Sequence, residues 1–438
     1  MKQKVLVFVL LFFMLNLYSQ KNIVSVNHSK DGIKLVVNGS DFMINGVNWD
    51  YFPIGTNYSY NLWEQSAVFI KSALDREMAL LEKMGVNTIR VYTGIQPKWI
   101  TYIYENYGIY TMLNHSFGRY GIFINGIWKA STDYNDLEVQ RVLISEVSEL
   151  VSSYKNTRGL LLFLLGNENN YGLFWAGAET ENFPNDEEEK NKIGERRGRA
   201  MYQLMNAAAI AMKKIDNKHP VAICNGDLLY IDIIAEECKD VDIYGTNMYR
   251  GSSFGDAFEL VKKKLQMPIM FTEFGADAYN AIKHKEDQAM QAFYMVENWR
   301  EIYENAAGLG KAENAIGGFT FQFSDGWWKY GQTIHLEEQN TNASWASGGY
   351  DMDYEKGSNN MNEEWFGICA KGPRNDEGLY KLYPRAAYFA LQEVHQLDPF
   401  LKEMNLIVIS EHFKKIRLKK YVLKAKEQRA ISLKDDWR

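Results

Sequence analysis

The sequence predicts an α/β protein folded as a (β/α)8 TIM barrel, and three observations predict it. Eight short apolar runs recur along the chain, each followed by a segment with helical spacing. The run at 160–165 (LLLFLL) is apolar on both faces, as suits a parallel strand covered on both sides. It stops at Gly166, and the polar cluster Asn167-Glu168-Asn169-Asn170 follows at once. In such barrels the chemistry sits at the carboxyl ends of the strands. No GxGxxG follows an early strand, which argues against an open dinucleotide-binding sheet.

The chain opens on MKQKVLVFVLLFFMLNLYSQ. Lys2 and Lys4 precede an apolar stretch too short for a comfortable membrane span, and Ser19 is a small residue for cleavage. Residues 1–19 therefore read as a signal peptide, with a barrel over 20–399 and no membrane insertion after cleavage. An uncleaved anchor is the alternative, because bulky Leu17 sits where cleavage favours a small side chain. Asn38-Gly39 marks a hairpin before the first strand.

The strands are then expected at 46–50, 86–92, 109–114, 160–165, 221–225, 241–247, 268–274 and 316–323. The helices are expected at 67–84, 97–106, 136–154, 200–215, 228–237, 257–265, 287–305 and 384–395. In the first of these Ile70, Leu74, Met78, Leu81 and Met84 fall on one face. The acidic run at 186–192 reads as a solvated loop or a helix start. The connection from Ser324 to Tyr380, after the eighth strand, is too long for an ordinary loop and carries Trp327, Trp328, Trp345 and Trp365. The tail at 400–438 is basic and amphipathic; a solvated helix or a disordered end is the default reading.

Composition narrows the function. A net charge of −6 with no basic stripe argues against nucleic acid. An aromatic content of 14%, with 27 Tyr and 11 Trp, suits a protein that stacks flat ligand faces such as sugars. Cys224, Cys238 and Cys369 are too few for a disulfide scaffold. Neither they nor the histidines show metal-site spacing, so neither a metal nor a cofactor is expected.

The seventh strand repeats the logic of the fourth: IMFTEFGADA ends an apolar run with Glu273 and Gly275. Glu168 and Glu273, 105 residues apart, would face each other across the barrel mouth. Two carboxylates about 5 Å apart are what retaining glycoside hydrolysis requires. The chain resembles the glycoside hydrolases of clan A on these motifs, Asn167-Glu168 and the Glu273 of TEFG. The resemblance implies that Glu168 is the acid/base, Glu273 the nucleophile and Asn167 a ligand of the sugar 2-hydroxyl. It further implies that Arg90 (NTIRVY) keeps the nucleophile ionised and that Tyr249 (TNMYRG) hydrogen-bonds it. Trp327, or Trp328 in its place, would floor the subsite of the cleaved sugar.

Asn114, His115, Asn169, Tyr171, Trp175, Asn247 and Asp325 lie near expected strand ends, as sugar ligands or as packing and capping residues. Asp277 would tune Glu273 or cap the next helix. GVNWDYFP and NTIRVYTG resemble both family 2 barrels and fungal-type β-1,3-glucanosyltransferases. The reading is an exported, retaining β-glycoside hydrolase or transglycosylase acting on a β-linked glucan or related oligo- or polysaccharide. A β-galactosidase-like or β-mannanase-like enzyme is the alternative, and a non-catalytic carbohydrate-binding barrel is the alternative of another class.

Overall fold

The computed structural model describes residues 22–173, 186–329 and 331–435. The signal peptide read at 1–19 and Trp175 lie outside the described residues. Eight parallel strands close into a barrel: β1 (Ile44–Asn48), β2 (Thr88–Tyr92), β3 (Tyr110–His115), β4 (Leu160–Leu165), β5 (Val221–Gly226), β6 (Ile243–Asn247), β7 (Ile269–Phe274) and β8 (Ala315–Thr320). The order runs β1 to β8 around the ring, with β8 pairing back onto β1. All six residues of β4 are buried, as an apolar run in a doubly covered strand requires.

The helices α1 (Ala67–Met84), α2 (Pro97–Tyr107), α3 (Leu137–Tyr154), α4 (Glu187–Ile215), α5 (Ile231–Glu237), α6 (Ala257–Leu265), α7 (Gln288–Glu304) and α8 (Ala386–Val394) surround the barrel. Their starts follow from capping. Ser66 accepts from Phe69 N–H at 3.2 Å, and Gly85 ends α1 in the left-handed region. The acidic run is a helix start, so α4 begins well before residue 200. Asp186 accepts from Glu189 N–H at 2.9 Å, and three glutamates occupy the first turn, where the helix dipole favours negative charge. β8 ends earlier than expected because Gln322 N–H leaves the sheet for Phe366 O, at 3.2 Å.

The N-terminal hairpin is part of a three-stranded antiparallel sheet, Val24–Ser29, Gly32–Val37 and Ser40–Phe42, turned at Asn38-Gly39. Its Val24, Leu35 and Val37 pack with Ile44, Met112, Leu162, Ile243 and Ile316 of the barrel interior. This sheet closes the bottom of the barrel and leaves the carboxyl ends of the strands for the site.

The long connection after β8 is tied down by a buried ion pair. Arg385 grips Asp325 through two bonds of 2.6 and 2.8 Å, and reaches Glu286 at 2.7 Å. The basic tail forms two helices, α9 (Leu406–Lys414) and α10 (Leu418–Asp435), rather than a disordered end. Ile409, Phe413, Tyr421 and Ala425 are buried, while Lys424 and Arg429 lie over the Phe389 and Tyr383 rings. One apolar stripe under a basic face explains both the composition and the packing. Ile409→Val should therefore cost about 1 kcal/mol, read as a lower urea midpoint; an unchanged midpoint would show that α9 adds nothing to the fold. Among the described residues no helix is long and apolar enough to cross a membrane.

Candidate active site

Arg90 organises the barrel mouth. It lies inward on β2 and is 2% exposed. Its Nη1 donates to Glu273 Oε1 at 2.7 Å and to Thr272 O at 3.2 Å. Its Nη2 donates to Asn114 Oδ1 at 2.6 Å and Asn167 Oδ1 at 2.8 Å, and Nε to Asn114 Oδ1 at 2.9 Å. A planar guanidinium is the side chain that can serve several acceptors in one plane. Three elements, β3, β7 and the turn after β4, are thereby held to one cation.

Glu273 is 9% exposed. Tyr249 OH donates to its Oε2 at 3.1 Å, opposite the Arg90 contact. Glu168 stands on a sharp turn. Gly166 and Glu168 both have positive φ, 81° and 57°, a conformation costly for a glutamate. Asn169 Oδ1 accepts Asn167 N–H at 2.7 Å, and Asn170 bonds both the N–H (2.7 Å) and the O (2.9 Å) of Gly226 on β5. This network holds Glu168 in place.

Asn247 ties Glu168 to Asn167. Its amide donates its two hydrogens to Glu168 Oε1 and to Asn167 Oδ1, both at 3.1 Å, and its proximity helps to lower the Glu273 carboxyl. Thr272 Oγ1 and Cys224 Sγ donate to its carbonyl oxygen, at 2.7 and 3.3 Å, and fix the amide's direction. The electrostatics of the two carboxyls differ. Burial and the Glu273 charge push Glu168 up to about 7, against weaker opposing pulls from Asn247, Arg119 and Arg90. Burial also raises Glu273, but Arg90 and Tyr249 pull it back down. A shared proton therefore belongs on Glu168, the member with no cation in direct contact among the described residues.

The structure thus brings Arg90, Asn167, Glu168, Asn247, Tyr249 and Glu273 together. His115 is not among them. Strand alternation turns Asn114 inward and His115 outward, where Nε2 meets Glu146 on α3 at 3.4 Å. Trp328 packs against Phe52 and Tyr58, with centroids 5.5 and 5.8 Å apart. Trp327 is half-buried nearby. The rings packed on Tyr249 are instead Trp345, Phe366 and Phe321, at 5.5, 5.7 and 6.4 Å.

Asn114 and Asn169 are fully engaged as internal braces. Asn114 donates to Gly166 O at 2.8 Å, and Asn169 to Phe117 O at 2.9 Å. Asp325 is consumed by Arg385, and Asp277 accepts Asn362 N–H at 3.2 Å rather than touching Glu273. Tyr171 lies against Gly226 and lines a side cleft of about 660 Å³ with Asp227, Tyr230 and Arg250. Cys224, read as a small core hydrophobe, lies in the polar floor, with Sγ 3.2 Å from Thr272 Oγ1.

Four further residues join the mouth. Tyr120 OH accepts from Asn167 Nδ2 at 2.8 Å, Tyr92 OH from Arg90 at 3.3 Å, and Arg119 donates to Asn167 O at 3.1 Å. Burial raises the Glu363 carboxyl, Lys329 pulls it down, and the Glu273 charge adds a smaller push up. Tyr92 follows Arg90 by two in VYTG, a signal the sequence offers; Tyr120 and Glu363 sit in the long connections after β3 and β8, whose course it does not. No group of three His, Cys, Asp or Glu side chains is placed to hold a metal ion among the described residues.

Residues 28–306 match the model of glycosyl hydrolases family 2, TIM barrel domain. The chain belongs to this family. The family 2 barrel is also similar to the 1,3-beta-glucanosyltransferase gel2 of Aspergillus fumigatus, with 24% identity over 60% of this chain and 53% of the relative. To the 1,3-beta-glucanosyltransferase GAS4 of Saccharomyces cerevisiae it is 26% identical over 55% of this chain and 50% of the relative. The chain thus spans about half the length of these curated relatives. Among solved structures, a family 2 β-galacturonidase from Eisenbergiella tayi has a TM-score of 0.52 at 14% identity, covering 87% of this chain and 55% of the other. A Parabacteroides merdae β-glucuronidase has the same TM-score and identity, over 86% and 40%. These structural likenesses show the barrel fold.

Proposed function

We propose that the protein is a retaining β-glycosidase or transglycosylase acting on a β-linked glucan. The observation that carries this reading is the asymmetric glutamate pair: Glu273 ion-paired to Arg90, Glu168 held by the Asn247 amide and, among the described residues, without a cation partner. In the first step Glu273 attacks the anomeric carbon and forms a glycosyl ester, while the Glu168 proton passes to the leaving oxygen. In the second, Glu168 takes a proton from water or an acceptor hydroxyl, whose oxygen displaces Glu273. Asn167, oriented by Arg90 and Tyr120, would bind the sugar 2-hydroxyl. The names of the two relatives favour a β-1,3-glucan, and the signal pattern supports export.

A product assay on laminari-, cello-, manno- and galacto-oligosaccharides tests the reading. Cleavage or elongation of one series supports it; binding without turnover would replace it with a carbohydrate-binding barrel. Longer products would identify transglycosylation.

The pair also sets a pH dependence. Glu168 must be protonated at the start, so kcat/KM should fall as pH rises through about 7. Glu273→Gln removes the like charge, and Glu168 should then titrate lower. Carbon-13 NMR of labelled glutamate reads this directly. An unshifted Glu168 in that variant would mean the two carboxyls do not interact.

A further inference from the structure

Beyond the carboxylates, the loop after β3 carries an exposed hairpin, Ile122–Ile124 and Ile127–Lys129, turned at Asn125-Gly126. Ile122 and Ile124 are buried and anchor it. Its other face is aromatic and open. Phe123 and Trp128 are cross-strand partners, with ring centroids 4.9 Å apart, and are 61% and 50% exposed. A cross-strand aromatic pair does stabilise a hairpin. That role does not require both rings to stand half in water beside an exposed Ile127.

The Trp128 ring reaches back over Gly121, where a Cβ would lie 2.3 Å from Cζ2; only glycine leaves room for it. The next residue is Tyr120, 47% exposed, with the Arg119 guanidinium 5.7 Å from its ring centroid. Tyr120 contacts Tyr92 and hydrogen-bonds Asn167. An aromatic line thus runs from the hairpin through Tyr120 and Tyr92 to Arg90 and Asn167. Flat apolar faces with hydroxyl tips fit the faces of successive sugar rings.

We propose that Phe123 and Trp128 form a remote sugar-binding platform for a polymeric β-glycan whose cleaved unit lies at Glu273. The inference rests on the proposed glycosidase reading and deepens it: the substrate is a chain spanning several subsites. Residues touching only remote units act on binding of long substrates and leave short ones unaffected.

The test compares wild type with Phe123→Ala/Trp128→Ala on laminarihexaose and on a p-nitrophenyl β-glucoside. KM for the hexasaccharide should rise about tenfold with kcat within about twofold, and both constants for the aryl glycoside should hold. Phe123→Tyr/Trp128→Tyr, which keeps both rings, should restore the hexasaccharide KM. An unchanged hexasaccharide KM, or an equal rise on the aryl glycoside, would overturn the platform. Native affinity electrophoresis through laminarin gives a readout that needs no turnover. Wild type should be retarded and the double alanine variant not; equal mobility of the two overturns the platform even if no substrate is turned over.

Discussion

Replacing Glu273 with alanine is expected to lower turnover of an activated aryl β-glycoside by roughly 10⁵-fold, the scale seen when a covalent nucleophile is removed. The carboxylate is oriented from both sides, by Arg90 at 2.7 Å and Tyr249 at 3.1 Å, so no neighbour can take its place. Glu168→Ala should behave differently. A dinitrophenyl leaving group needs no proton, so the first step survives and the glycosyl ester accumulates. Loss of the base then slows its release by about 10²–10⁴-fold. Added azide, which needs no base, should relieve the block and yield the β-glycosyl azide. Mass spectrometry of the trapped protein and NMR of the azide product give both results. Residual activity of Glu273→Ala above about one hundredth of wild type would remove Glu273 from the nucleophile's role.

The ring of strands was legible because burial on both faces forces long apolar runs, and Leu160–Leu165 shows it most plainly. The two glutamates were legible because each breaks such a run at its carboxyl end. Alternation defeated the reading of His115: proximity to a strand end does not say which way a side chain points. Which of Trp327 and Trp328 faces the site was not legible for another reason. Their positions depend on a long connection whose course is set by Asp325 and Arg385, 60 residues apart, and no local pattern encodes that contact. Tyr120 and Glu363 are hidden in the same way. Asn114, Asn169 and Asp325 were read near strand ends, but their side chains are spent holding Arg90, the Glu168 turn and the long connection.

Arg90→Met is expected to damage stability and catalysis together, with a pH signature that tells the two apart. Its loss leaves Asn114, Asn167 and Glu273 without their common donor in a buried site. Breaking a buried ion pair by removing one partner costs about 3–5 kcal/mol. Glu273 would then be raised further, since burial remains and the cation is gone. A carboxyl raised in the folded state favours folding below its unfolded value, and that advantage is lost as pH rises through the folded value. Urea unfolding should therefore show a smaller deficit at pH 5 than at pH 7. For the same reason the acid limb of kcat/KM should move upward, because fewer molecules carry ionised Glu273 at a given pH. Arg90→Lys separates charge from geometry. An ammonium restores a nearby cation, so the acid limb should return toward wild type. It has no planar fork to reach Asn114, Asn167 and Glu273 at once, so kcat should stay depressed. A methionine variant with an unmoved acid limb and equal deficits at both pH values would reduce Arg90 to a packing residue. It would leave Tyr249 and Asn247 as the groups that keep Glu273 ionised.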